Sequence, residues 1–211
     1  MADVDIIVIP GKYRTIITQL SRLILSELKV FKTNKKNKSS IILFKEIVNT
    51  NIPLHFYLGV ETKFSDTAYV TGNAYNPTSK WNEQIPYIEI SIETNEDPKH
   101  RSDIVYRLAN TLRHEIEHLT QSGYNTIPGN YLPDDQYERE IVNDKEYFLL
   151  PKEINAGVRG IYSQACKMKK PFNEMLYDYL FETYLLESDI EEIAHIYLDK
   201  ALELNLIKKR I

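Results

Sequence analysis

The chain has 211 residues, 43% of them hydrophobic and 27% charged, enough for one substantial core or for two lobes meeting at a cleft. A net charge of −4, from 26 Lys and Arg against 30 Asp and Glu, gives a nucleic-acid role no global electrostatic support, and the single cysteine excludes an internal disulfide framework. No apolar run reaches the roughly 18 residues of a membrane span, and the acidic start Met1-Ala2-Asp3-Val4-Asp5 is unlike a secretory signal, so neither membrane nor nucleic acid is an expected partner and the cytoplasm is the expected compartment.

Ile6 to Ile9 reads as a short strand ended by Pro10-Gly11. Tyr13 to Phe31 reads as a helix, with Ile16, Ile17, Leu20, Ile24 and Leu28 at helical spacing. The basic cluster Lys29, Lys32, Lys35, Lys36 and Lys38 is interleaved with Asn and Thr rather than aromatics and reads as a solvated loop. Ile41 to Val48 fits either a buried strand or a short helix, because four consecutive apolar residues do not fix a period. Leu54, Phe56, Leu58 and Val60 alternate with His55, Tyr57 and Gly59 as in a strand. Thr67 to Tyr75 supplies another, followed by a loop around Pro77. Ile88, Ile90 and Ile92 alternate with Tyr87, Glu89, Ser91 and Glu93, which predicts a half-buried strand.

The next element carries the chemistry. Asp97 as N-cap, Pro98 at the first helical position and Gly123 as C-terminal cap frame a long helix. At about 100° per residue, Val105, Leu108, Leu112, Ile116 and Leu119 form an apolar stripe, and Arg107, Thr111, His114, His118 and Gln121 lie on the opposite side. Within it, His114-Glu115-Ile116-Glu117-His118 is an H-E-x-x-H run, which presents two imidazoles on one face to a zinc ion. Glu115, rotated by about 100° from His114, is free to act on water rather than to ligate.

A catalytic zinc takes three protein ligands and keeps one position open. The extended pattern with a third downstream histidine fails, because Gln121 stands at its glycine and Tyr124 at its last histidine. Leu150 to Gly157 reads instead as the opening of a second helix, with Pro151 at its first position and Glu153 in its first turn. Leu150 cannot serve a capping box, which weakens a purely capping role for Glu153. Gly157 and Gly160 share its face, and each costs a helix about 1 kcal/mol relative to Ala, a loss that a close crossing against the histidine helix would offset. Such a crossing delivers Glu153 to the metal; Glu146, Asp144 and Glu138 are less well placed substitutes.

Lys167, Lys169 and Lys170 suit the negative end of this helix, Pro171 breaks it, and Asn173 to Leu186 forms another. Ser188 with Glu191 reads as the capping box of a last helix ending near Leu206. Cys166 points away from Glu153, His195 reads as a surface histidine, and His55 and His100 carry no spacing signal. Arg159 and Tyr162 point off the Glu153 face, which leaves Tyr147 as a guess for a group that stabilises negative charge.

His114, Glu115 and His118, followed by Glu153 in a Pro-x-Glu-x-x-Ala setting, resemble the gluzincin branch of zincin-type metallopeptidases, most closely its minimal phage-type or bacterial members. The resemblance spans roughly Ile85 to Cys166. It implies an α+β, zincin-like fold with a small mixed sheet, an N-terminal helix and C-terminal helices. It implies one zinc held by His114, His118 and Glu153, with Glu115 as general base in hydrolysis of a protein or peptide substrate. It also implies a strand at 87–93 along the rim of the cleft, pairing with substrate, and action within an assembling particle if phage-borne. Many gluzincins follow the ligand Glu with an Asp that orients a histidine; Ala156 and Gly157 stand there instead. The expected organisation is one domain in two lobes, 1–123 with the sheet and active-site helix and 124–211 with the third ligand. The alternatives are a catalytically silent zincin-fold protein that binds metal or partners, and a nucleic-acid-binding helical domain.

Overall fold

The computed structural model describes residues 5–31, 40–75, 85–94, 98–121 and 143–208. In chain order the elements are β1 (Ile6–Ile9), α1 (Tyr13–Phe31), β2 (Ser40–Asn49), β3 (His55–Phe64), β4 (Tyr69–Tyr75), β5 (Tyr87–Thr94), α2 (Pro98–Gln121), α3 (Asp144–Phe148), α4 (Pro151–Met168), α5 (Phe172–Phe181) and α6 (Glu187–Glu203). Among the described residues this is a mixed α+β architecture with one five-stranded sheet and six helices. Pro98 opens α2 as expected, whereas its expected caps Asp97 and Gly123, the basic residues at 32–38, the loop around Pro77 and Glu138 lie outside the described residues.

The sheet runs β1-β2-β3-β5-β4. β1 pairs parallel with β2 and β3 parallel with β5, while β2–β3 and β4–β5 are antiparallel. The ambiguous run from Ile41 is a strand: Leu43 and Ile47 turn inward and Ile41 and Phe44 outward, in register with β3 through Ile47 opposite Phe56. A shift in register between Ile41 and Leu43 blurs its alternation in the sequence. Ile88, Ile90 and Ile92 of β5 and Phe56, Leu58 and Val60 of β3 make the inner face, against which Ile16, Leu20 and Ile24 of α1 and Leu108, Leu112, Ile116 and Leu119 of α2 pack. Each such side chain contributes about 1.5–3 kcal/mol by leaving water.

A second apolar cluster joins α3 to α6 through Val158, Ile161, Phe172, Leu176, Leu180, Ile193 and Tyr197. Here two boundaries differ from expectation. α5 stops at Phe181, and α6 begins at Glu187 with Leu186 at its N-cap and no side-chain capping bond, so Ser188 lies inside the helix. Glu191 accepts instead from the Tyr177 hydroxyl on α5, at 3.0 Å, a tertiary partner that competes with the local capping bond. α6 ends at Glu203, with Leu204 as its C-cap. Among the described residues no helix is long and apolar enough to cross a membrane.

The strand expected at the rim is interior. β5 has β3 on one side and β4 on the other, so it has no edge to offer an extended peptide. Alternating burial reports which faces of a strand are covered and carries no information about its edges. The edge next to α2 belongs to β4.

Candidate metal centre

α2 is covered on two sides. Its apolar stripe rests on the sheet, the side expected to be polar packs against α4, and Glu117, Thr120 and Gln121 are almost completely buried. The crossing is tight at one glycine: a Cβ on Gly160 would stand 3.0 Å from the Asn110 carbonyl oxygen and 3.3 Å from His114 Cβ. Gly157 does not share this role, contrary to expectation. It faces α6, where a Cβ would meet Tyr197 Cε1 at 2.7 Å. Positions three apart on a helix differ by about 60° in direction, and α4 is packed between α2 and α6, so the two glycines serve different neighbours. The Tyr197 hydroxyl approaches the carbonyl oxygens of Phe148 and Glu153 at 3.3 and 3.5 Å, which ties the first turn of α4 to α6.

That first turn presents Glu153 to α2. Its Oε2 lies 3.2 Å from His114 Nε2 and its Oε1 3.4 Å from His118 Nε2, while the two imidazole Nε2 atoms are 2.9 Å apart. One ligand atom from each residue falls within 4.8 Å of the others. A tetrahedral ion with ligands at about 2.0–2.2 Å sets its donors about 3.3–3.6 Å apart, close to the two carboxylate contacts, and the imidazole nitrogens at 2.9 Å would open slightly to admit it. The donor chemistry fits as well: Glu153 Oε2 is buried without a well-aligned hydrogen bond, and two ring nitrogens and a carboxylate are the set that zinc takes. Burial by itself would raise the pKa of Glu153, but the two imidazoles outweigh it and hold the carboxyl well below the usual range. Burial of His114 opposes its protonation; the neighbouring Glu153 and Glu115 carboxylates overcome that and raise its pKa.

Glu115 is buried beside this group without sharing it. Burial raises its pKa, His114 and His118 draw it down, and Glu153 adds a further upward push. The Ala74 backbone of β4 hydrogen-bonds to the Glu115 carboxylate. A Cβ on Gly72 would stand 2.6 Å from Thr111 Cγ2 and 2.7 Å from Glu115 Cγ, so glycine there lets the edge strand lie against the acid. Tyr147 of α3 borders the site: it is 41% exposed, while withdrawal of its hydroxyl from water beside Glu153, to which it is hydrogen-bonded, raises its pKa.

The other candidates lie elsewhere. Arg159 Nε pairs with Glu117 Oε1 at 2.9 Å, and Tyr162 hydrogen-bonds to the exposed Cys166. Asp144 and Glu146 are exposed in the first turn of α3, His55 pairs with Glu46 at 2.7 Å, and the exposed His195 binds the Glu191 carbonyl through Nδ1 at 2.8 Å.

Sequence reasoning missed three contributors. Gly72 and Ala74 left no signal, because nothing local says which strand lies against α2. Gln121 had one, its position three residues after His118 on the same face. Its Oε1 is 3.3 Å from His118 Nδ1, and its Nε2 is 3.4 Å from the Lys152 carbonyl at the start of α4. This supplies a partner for one imidazole from α2 itself. No protein-family model matches the chain, and neither does any curated protein or solved structure.

Proposed function

We propose that the chain is a metal-dependent peptidase of the zincin type, with His114, His118 and Glu153 holding one zinc ion and Glu115 acting as general base. The observation that carries this reading is the convergence of three ligand atoms from two helices beside a second buried carboxylate, Glu115, that stands outside the set. A structural zinc site would be closed by a fourth protein ligand and would have no use for Glu115, which favours catalysis over silent binding.

Zinc held there supplies Lewis acidity and a water that ionises near neutral pH. Glu115 would accept a proton from the attacking water and hand it to the leaving amine, a task suited to a carboxylate whose pKa burial raises. The hydrogen bond with Ala74 fixes the direction of its carboxylate, and Tyr147 steadies Glu153. An extended peptide pairing with the outer edge of β4, which no described strand covers, would pass Gly72 and Ala74 and so lie alongside Glu115, which makes β4 the substrate-binding strand in this reading.

Glu115→Gln tests the assignment. The variant keeps its metal on elemental analysis and loses cleavage of denatured protein by about 10²–10⁴-fold, the usual contribution of a general base. Cleavage at the parent rate would remove Glu115 from the mechanism.

A further inference from the structure

We propose that Glu182, with Tyr69 and Arg107, forms a subsite that selects a basic side chain roughly three to four residues to the C-terminal side of the bond cleaved. The subsite deepens the peptidase reading and rests on it, since it takes β4 as the strand with which substrate pairs.

β4 follows α2 from the metal centre to this place. The Ala74 backbone hydrogen-bonds to Glu115, the strand passes Thr111 closely at Gly72, and where it begins the Arg107 guanidinium lies 5.8 Å from the centre of the Tyr69 ring. Arg107 shares a face of α2 with His114, two turns earlier. From Arg107 to Glu115 the helix rises about 12 Å, which an extended peptide covers in roughly three to four residues. An added strand pairs more stably when antiparallel, and running against β4 it carries its C-terminal part from Ala74 toward Tyr69. There it meets Glu182, the C-cap of α5, whose two oxygens each accept from Arg107 at 2.8 Å. Tyr179 of α5 is within electrostatic reach of both places: burial raises its pKa, and Glu153, Tyr69, Glu115 and Glu182 push it further.

The balance of charge decides which side chain fits. Asp103, one turn before Arg107, adds to the field of Glu182 upon it, so two carboxylates face one guanidinium. Glu182 is the more accessible partner, with 52% of its side chain exposed against 28% for Arg107. A carboxylate offers about four lone-pair directions, and the fork engages one on each oxygen. The others, together with the half-exposed ring of Tyr69, suit a Lys or Arg whose stem lies on the ring and whose head reaches the acid. An acidic side chain in the same place would meet the fields of Glu182 and Asp103.

The test uses the full, zinc-loaded chain and peptides built around a bond first mapped in denatured protein by mass spectrometry, differing only in Lys, Gln or Glu at the third or fourth residue after it. Expected is a kcat/KM about 3- to 10-fold higher for Lys than for Gln, and lower again for Glu. The difference should lie in KM, because a contact remote from the reacting atoms forms equally in ground and transition states. Glu182→Gln, which keeps one oxygen for Arg107, is expected to bring the Lys and Gln peptides level. A parent indifferent to the charge, a basic preference on the N-terminal side of the bond, or a Glu182→Gln chain that keeps the parent ratio overturns the subsite, and the parent ratios decide even if the variant does not fold. A parent that cleaves neither peptide nor denatured protein overturns the peptidase reading and the subsite with it; cleavage without the preference overturns the subsite alone.

Discussion

Two buried polar clusters lie where α2 crosses α4, and they are assembled on opposite rules. In one, donors meet an acceptor: Glu117 takes Arg113 Nη2 on Oε2 at 2.6 Å and Arg159 Nε on Oε1 at 2.9 Å, and the Arg113 guanidinium lies 4.0 Å over the Tyr13 ring. In the other, the groups that converge are all capable acceptors, two imidazole nitrogens and a carboxylate within 3.4 Å of one another. In the first cluster each Glu117 oxygen is met by a guanidinium, although Arg113 Nη1 is buried without a hydrogen bond, and the cluster fastens α1, α2 and α4 together. The second is complete only with a proton or a cation at its centre. Depth of burial does not separate them, since Glu117 and Glu153 are both buried; the permanent cations around the first acid, against two imidazoles around the second, do.

The sharpest way to break this comparison is to remove the central acid of the closed cluster. Glu117→Ala leaves the buried Arg113 guanidinium, and the partly exposed Arg159, without their acid, and loss of one partner from a buried ion cluster costs about 3–5 kcal/mol. Urea unfolding of the metal-free variant should show that loss. His118→Ala should leave metal-free stability within about 1 kcal/mol of the parent and abolish only the extra stability that zinc confers, about 2.7 kcal/mol at a concentration of 100 times Kd. Equal destabilisation of the metal-free protein by both variants would erase the distinction.

A smaller effect sharpens it. Gly160→Ala and Gly157→Ala each overpack the interior, at about 1–3 kcal/mol. They do so against different neighbours: the first presses on Asn110 and His114, the second on Tyr197. Zinc affinity should therefore drop more in Gly160→Ala than in Gly157→Ala at comparable loss of Tm. The reverse order would mean that the support of α6 beneath Glu153 matters more than the crossing. The least effect is expected from Arg107→Ala. Its fork onto Glu182, with both contacts at 2.8 Å, is half open to water, and its removal should cost no more than about 1 kcal/mol in thermal unfolding.

How much of this was legible in the sequence follows the range of each cause. His114 and His118 share a face because four residues make about one turn, a purely local fact, and Pro151 marks the start of α4 for an equally local reason. The glycines announced a close approach but not its partner, since Gly157 meets a tyrosine on a helix that follows much later in the chain. The strand at β5 displayed its alternation without disclosing that both its edges are occupied. The pairing of Glu117 with Arg159 joins two helices, and only the crossing reveals that the polar side of α2 is interior. Ser188 and Glu191 made a plausible cap by spacing, until Tyr177 claimed the glutamate.

The measurement that bears most directly on the open cluster is the metal content of the parent and of Glu153→Ala, each exposed to zinc and then freed of unbound ion. One zinc per chain in the parent, released by chelator, with binding lost or weakened by more than the about 10- to 100-fold that a supporting hydrogen bond accounts for, is the expected result. A parent without metal, or a variant that holds zinc as tightly as the parent, would contradict the account.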